Sequence, residues 1–492
     1  MKYFSTRIGF ETTASEAIAK GLAPNGGLYM PDTLPKLTED ALKALAAMDY
    51  RGRAAAVMGW FLPEFTEEEL ASFAKAAYGD NFDDDRIAPV HALDGATSFL
   101  ELWHGPTCAF KDMALQMLPH LLTASLKKCG EQRSVCILVA TSGDTGKAAL
   151  QGFADVPGTK ILVFYPDGGV SDVQRLQMVT QTGENVGVCA VKGNFDDAQT
   201  GVKQIFSDKT LAESLSERGW FLSSANSINW GRLLPQIVYY ISAYLDEVTS
   251  GRIALGEKLN FVVPTGNFGN ILAGWYAREM GLPIGRLICA SNENNVLTDF
   301  IRTGTYNKNR PFYLTASPSM DILVSSNLER LLRSLSGSGE ETAEYMRELR
   351  ENGQYTVSPA VLEKLQEVFS CGFCDDASTR AEIGRVWRKH HYLMDTHTAV
   401  AYHVLQNYCS ESGDNTPAVV VSTASPYKFC DHVLTAIGGN ADAPGVQLID
   451  RLEEATGVPA PKPLAGLGER EVRFSDCVEK QEMRAAVEGF LR

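Results

Sequence analysis

The stretch "SVCILVATSGDTGKAAL", Ser134 to Leu150, decides the fold. A short β-branched run ends at Ala140, a turn rich in glycine and hydroxyl groups follows, and then comes a segment of helical length. The pattern recurs downstream in "KILVFYPDGG", "NVGVCAVKGN", "GWFLSSANS", "KLNFVVPTGN", "GRLICASNEN" and, near the end, "AVVVSTASP". Strands alternating with helices predict βαβ units and mainly parallel sheets covered on both faces. The fold class read from this alternation is α/β.

Moving outward, residues 1 to about 95 read as helix-rich. "EDALKALAAMDYRGRAAAVMGWFL" and "EEELASFAKAAYG" carry helical apolar spacing, and the acidic "GDNFDDDRIAPV" reads as a surface connection with a domain boundary near it. Between Met320 and about Thr416 the pattern turns to helices alone, as in "NLERLLRSL", "VLEKLQEVF" and "TAVAYHVLQNY". This predicts a helical insertion, about 320–416, within a region running from 96 to 492.

The chain has 492 residues, 45% of them hydrophobic and 21% charged, with a net charge of −15. That balance is ordinary for a globular protein of more than one domain. Its acidity offers no basic footprint for nucleic acid or an anionic membrane, so any phosphate ligand must be held by local donors. The first residues lack a signal-peptide core and no later run would span a bilayer. The ten cysteines stand singly, mostly in apolar segments, as reduced thiols do in a cytosolic protein. Cys371 and Cys374 form a CxxC, but His390 and His391 are adjacent and no second CxxC exists, so no metal is expected.

In open parallel sheets ligands bind beyond the carboxyl ends of the strands. Four strand exits here carry unusual chemistry. In the first, Thr141, Ser142, Gly143, Asp144 and Thr145 precede a helix expected to begin near Gly146. Two residues separate Gly143 from Gly146 and Ala148 stands where a nucleotide P-loop needs Ser or Thr, so that reading is rejected; a carboxylate ligand fits. The second, "VVPTGNFGNILAG", can wrap Gly266, Asn267, Phe268, Gly269 and Asn270 around a phosphate but lacks dinucleotide spacing. The third, "SSANSINWGRLLPQ", concentrates Asn226, Ser227, Asn229 and Arg232, whose guanidinium fork suits an oxyanion. Its bland alternative is a helix capped by Asn226 or Ser227 with a solvated arginine. The fourth, "VVVSTASPYKF", ends a strand in Ser422 and Thr423, whose hydroxyls can serve a ligand or their own backbone.

A further stretch, "HGPTCAFKDMALQ", sets Lys111 between Phe110 and Asp112, just before an apolar run. "ELWHGPTCAFKDMAL" resembles the lysine-attachment signature of pyridoxal-phosphate enzymes. With "YFSTR", "GLAPNGGLYMP", "TSGDTG", "NSINWGR", "GNFGN" and "STASPYKF" it resembles the threonine synthase family, in order, from Tyr3 to Phe429. The resemblance implies a two-lobed fold of the tryptophan synthase β type, pyridoxal 5'-phosphate as cofactor and Lys111 as its Schiff-base lysine. It implies a cofactor-phosphate site at Gly266, Asn267, Phe268, Gly269 and Asn270, Thr423 at the pyridine nitrogen, and Asp144 near the phenolic oxygen. Ser142 and Thr145 would grip the substrate carboxylate. Asn226, Ser227 and Arg232 would bind its phosphate, with Arg175 as a second positive charge. Two positions depart from the family pattern: Ser425 stands where members often have His, and Asp144 where they often have Asn.

The implied reaction converts O-phospho-L-homoserine and water to L-threonine and phosphate, in the cytoplasm. A related phospholyase or dehydratase giving a 2-oxo acid is the nearest alternative. A non-catalytic binder on the same scaffold is the other, and the intact Lys111 speaks against it.

Overall fold

The computed structural model describes residues 1–492. Two parallel sheets organise it. The larger runs in the order Phe369–Phe373, Ile284–Ser291, Leu259–Pro264, Ala418–Ser422, Thr97–Glu101, Val90–Ala92, and only the last pair is antiparallel. The smaller runs Cys477–Val478, Val186–Val191, Thr159–Pro166, Ser134–Ala140, Trp220–Ser223, parallel throughout. Leu259–Pro264 and Ala418–Ser422 are buried at every position, as strands covered on both faces must be, which is why they read as unbroken apolar runs. The α/β class read from the sequence holds, and all seven strands read from it are present.

The region 320–416 is not helices alone. Phe369–Phe373 adds an edge strand to the large sheet beside Ile284–Ser291, and Gln354–Thr356 pairs with Thr305–Asn307. An edge strand is only half covered, so "FSCGF" shows no apolar run to betray it. The expected boundary near residue 95 falls inside a hairpin, because Val90–Ala92 pairs with Thr97–Glu101. The first residues also hold a small antiparallel sheet, Glu11–Thr12, Tyr3–Ser5 and Tyr29–Pro31, whose strands are too short to show a period. The long helical pattern from Glu39 divides into Glu39–Ala46 and Tyr50–Phe61, because the Asp49 carboxylate accepts from the Gly52 N–H at 2.8 Å and starts a new helix.

The helix Trp230–Thr249, buried along most of its length, packs against both Tyr50–Phe61 and Gly269–Met280. At its start the indole of Trp230 sits among the rings of Tyr3, Phe61 and Tyr276, at centroid distances of 5.5, 5.7 and 5.5 Å. The N-terminal segment therefore shares one continuous core with the rest of the chain. Helices follow the strands ending at Ala140 and Pro264, and their intervening loops supply the chemistry below.

Candidate active site

Lys111 stands at the start of a single helical turn, Asp112–Leu115. Asp112 anchors that turn: its fully buried carboxylate accepts from the Thr107 N–H at 2.8 Å and the Thr107 hydroxyl at 2.7 Å. Burial holds the Asp112 carboxyl up at about 6. Gly105 is required beside it, since a Cβ there would lie 2.6 Å from Asp112 Oδ2. Thus fixed, Lys111 Nζ donates to Ser319 Oγ at 3.3 Å, lies 3.7 Å from Asp144 Oδ2 and sits 5.0 Å from the Phe110 ring centre. Burial lowers the proton affinity of this amine. Asp144 opposes that, and the positive charges of Lys428 and Arg232 deepen it, so Lys111 lies below the ordinary lysine range.

The helix after Ala140 starts at Asp144, two residues before the expected Gly146. Gly143, at φ 141°, makes the turn, and a Cβ on it would meet the Gln174 side chain at 2.5 Å. The Thr141 hydroxyl accepts from Gly143 and Gly146 N–H groups, each at 3.0 Å, and holds the loop closed. This leaves Ser142 exposed, Thr145 half-buried and Asp144 buried. Asp144 Oδ1 pairs with Lys428 Nζ at 2.6 Å and accepts from Gln174 Nε2 at 2.9 Å. Burial alone would raise the Asp144 carboxyl, but Lys428 and Lys111 outweigh it and hold it well below the carboxylate range.

In the second loop, Gly266 meets the segment carrying Ser319 so closely that a Cβ would lie 2.8 Å from the Ser319 carbonyl oxygen. Asn267 is exposed at the loop tip, and its carbonyl accepts from the Asn327 N–H at 3.1 Å. Phe268 adopts φ 65°, a left-handed conformation uncommon for a bulky residue, and its buried ring fixes the reversal into Gly269–Met280. No side chain caps that helix, so its first N–H groups remain available to an anion. Asn270 Oδ1 accepts from the Tyr239 and Tyr240 hydroxyls, each at 2.7 Å, while its buried Nδ2 has no partner.

In the third loop, neither Asn226 nor Ser227 caps the helix. Asn229 does, accepting from the Gly231 N–H at 2.8 Å. Asn226 is exposed and Ser227 half-buried, with Ser227 Oγ 3.4 Å from Asn226 Oδ1. Arg232 is buried, not solvated. One guanidinium nitrogen donates to the Ala225 carbonyl at 2.9 Å, Nε has no partner, and no carboxylate pairs with it. Burial draws its pKa down to about 10. A buried guanidinium without a counter-ion is an anion site. It connects to the second loop through Gln236, which donates to the Arg232 carbonyl at 2.7 Å and accepts from the same Tyr239 hydroxyl that reaches Asn270. In the fourth, the Thr423 carbonyl accepts from the Phe110 N–H at 2.8 Å, which places Thr423 beside the residue preceding Lys111. Ser425, also buried, accepts from the Tyr427 N–H at 3.3 Å.

Arg175 is half-buried, and its side chain makes no hydrogen bond or ion pair; from its helix it is Gln174 that reaches Asp144. Sequence reasoning missed Lys428, Gln174, Ser319 and His397. Lys428 had a signal, a lone charge between the aromatic residues Tyr427 and Phe429 in an otherwise apolar stretch. Ser319 had none, because its segment has no periodicity.

Comparison with known proteins matches three family models in succession. "Threonine synthase N terminus" covers residues 2–78, "Pyridoxal-phosphate dependent enzyme" covers 92–424, and "Threonine synthase, C-terminal" covers 398–488. The threonine synthase of Pseudomonas aeruginosa is 39% identical over 460 residues, spanning 92% of this chain and 94% of its own. The chain belongs to the threonine synthase family.

A human protein named threonine synthase-like 1 is 42% identical over 435 residues, 86% of this chain, and the match spans only 58% of that relative's length. The crystal structure of pyridoxal-phosphate-bound threonine synthase from Brucella melitensis superposes with a TM-score of 0.89 at 37% identity, over 100% of both chains. The yeast enzyme gives 0.90 at 32% identity, over 100% of this chain and 98% of that one. One matched family model is named for pyridoxal-phosphate-dependent enzymes and the Brucella melitensis structure holds that cofactor; the residues present here fit the group. A half-buried amine with weakened proton affinity meets, through Ser319, a loop of glycines and unspent N–H groups, and Arg232 Nε and Asn270 Nδ2 are buried donors still lacking acceptors.

Proposed function

We propose that the enzyme converts O-phospho-L-homoserine and water to L-threonine and inorganic phosphate. The observation that carries this reading is the coexistence of two anion sites around one half-buried amine: the uncapped start of Gly269–Met280 and the unpaired Arg232. One suits the cofactor's phosphate and the other the substrate's.

In this reading Lys111 would hold the cofactor, Gly266, Asn267, Phe268, Gly269 and Asn270 would take its phosphate, and Thr423 and Asp144 would serve its ring nitrogen and phenolic oxygen. Bound pyridoxal phosphate supplies an electron sink for negative charge generated on the substrate. Lys111 Nζ would take protons from Cα and Cβ in turn, and its weakened proton affinity keeps it neutral enough to do so. Ser142 and Thr145 grip the α-carboxylate. Arg232, with Asn226 and Ser227, holds the phosphate as it leaves the γ-carbon, and Arg175 completes the positive surroundings. One of the abstracted protons returns to Cγ, which becomes the methyl group; water then adds its hydroxyl at Cβ, the other proton returns to Cα, and the water's remaining proton leaves with the phosphate. No helix is long and apolar enough to cross a membrane, and we place the enzyme in the cytoplasm on the strength of its reduced cysteines.

The test is incubation of the cofactor-loaded protein with O-phospho-L-homoserine, assaying threonine, phosphate and 2-oxobutanoate together. Threonine and phosphate in equal amounts are expected. Phosphate accompanied by 2-oxobutanoate alone would assign a phospholyase instead.

A further inference from the structure

The single turn Pro318–Met320 faces Lys111, and three contacts meet at its central residue. Ser319 Oγ accepts from Lys111 Nζ at 3.3 Å, and its carbonyl oxygen stands where a Cβ on Gly266 would come within 2.8 Å. Its N–H donates to Nε2 of His397 at 3.2 Å. His397 is buried, with its ring against Phe429, and its Nδ1 lies 2.7 Å from Asp395 Oδ2. Asp395, also fully buried, caps the helix Thr396–Ser412 by accepting from the N–H groups of His397 and Thr398 at 2.9 and 3.2 Å.

The donors and acceptors in this chain admit one arrangement. An N–H aimed at Nε2 requires a lone pair there, so the imidazole proton resides on Nδ1, where a carboxylate accepts it. We propose that Asp395 and His397 are positioning residues that pin Ser319 against Lys111 and the Gly266 loop, with Asp395 acting by fixing the imidazole tautomer. The pinned hydroxyl gives the Lys111 amine a resting partner, and the pinned carbonyl closes the wall beside the proposed cofactor-phosphate loop. The catalytic consequence rests on the reading of Lys111 given above. The pinning itself does not, because it exists in the protein without substrate.

The experiment follows hydrogen exchange of the peptide around residues 315–324 in the full chain, with kcat and KM for O-phospho-L-homoserine measured beside it. His397→Gln can still accept from Ser319 and donate to Asp395, so exchange and kcat stay within a few-fold of wild type. His397→Leu can do neither: exchange of the Ser319 amide rises about tenfold or more, and kcat falls roughly ten- to a hundredfold with a smaller change in KM. Asp395→Asn keeps the half of the helix cap that serves the Thr398 N–H and gives up the half at the His397 N–H, because its NH2 group, in the place of Oδ2, faces both that N–H and Nδ1. The ring's proton then moves to Nε2, opposite the Ser319 N–H, and this variant tracks His397→Leu. Unchanged exchange in His397→Leu, or wild-type exchange and kcat in Asp395→Asn, overturns the proposal. Should His397→Leu fail to fold, the contrast between His397→Gln and Asp395→Asn decides alone. Faster exchange with no threonine formed by the wild type would sustain the pinning and discard the proposed reaction.

Discussion

Two lysines, Lys111 and Lys428, share one carboxylate, and the distances are unequal: 3.7 Å from Lys111 and 2.6 Å from Lys428. Lys428 holds Asp144 ionised yet occupied, and adds a second positive charge that discourages protonation of Lys111. Replacing Lys428 with Met leaves Asp144 to Lys111 alone. The proton affinity of Lys111 then rises, and the pH at which Lys111 in the cofactor-free protein becomes reactive toward formaldehyde and cyanoborohydride moves upward. An unmoved reactivity profile would make Lys428 a purely structural ion. Arg232 carries the second residue-level expectation. A charge-assisted hydrogen bond contributes about 1.5–3 kcal/mol, so Arg232→Ala should lower kcat/KM for O-phospho-L-homoserine by roughly ten- to a few-hundredfold. Lysine restores the charge without the fork, and Arg232→Lys should recover part of the loss. Cofactor affinity should hold in both variants; a marked fall in pyridoxal-phosphate binding would mean the two phosphate sites have been exchanged.

At the scale of elements, the strand Thr97–Glu101 ends in a charge clasp. His104 lies 2.6 Å from Asp83 and 2.9 Å from Glu101, stacked on Trp103 with centroids 4.3 Å apart. Burial disfavours its charge, but the bonds to Asp83 and Glu101 prevail and raise it from 6.5 to about 9. A histidine whose folded pKa is raised contributes stability that is complete below its unfolded pKa and fades as pH climbs through the folded one. His104→Gln should therefore melt a few degrees lower than wild type at pH 6, and the gap should close above pH 9. A gap independent of pH would trace the effect to packing on Trp103. The same element shows what a sequence can reveal. Thr97–Glu101 went unread because "TSFLE" is short and mixed, although it lies beside the wholly buried Ala418–Ser422, whose "AVVVS" was plain. Loops leaving plain strands could be located in the sequence, and with them the positions of Asp144, Asn270 and Arg232 at the helix starts that follow. Their companions came from segments with no period: Ser319 on an isolated turn, Gln174 on a helix named for its neighbour Arg175, and His397 at a helix start. Long-range hydrogen bonds select those residues, and composition carries no trace of them.

Over the whole molecule, the N-terminal segment is fastened to the rest of the chain by more than its shared core. Glu329 accepts from the Thr6 hydroxyl at 2.6 Å and from Arg7 Nε at 3.0 Å. Its neighbour Arg330, fully buried, donates to the Tyr29 carbonyl at 2.9 Å and to Asn327 Oδ1 at 2.6 Å. Asn327 in turn touches the second and third site loops, through the Asn267 carbonyl at 3.1 Å and the Ser227 carbonyl at 3.3 Å. Calorimetry should therefore show unfolding of the N-terminal segment together with the rest of the chain, and Glu329→Ala should lower that common transition without splitting off an earlier one. A separate early transition would show that the segment folds by itself. The last residues close the small sheet at the other side. Cys477–Val478 pairs with the end of Val186–Val191, Phe490 lies where a Cβ on Gly187 would come within 2.9 Å, and the Phe490 carbonyl accepts from Lys160 at 2.8 Å. Without that cover, "VGVCAV" becomes a bare edge of apolar side chains and unpaired amides, a template for another chain. A protein ended at Ser475 should thus self-associate, visible as rising light scattering at concentrations where the full chain stays clear; that result would make the C-terminal tail a cover that keeps the edge of the sheet from pairing with another chain.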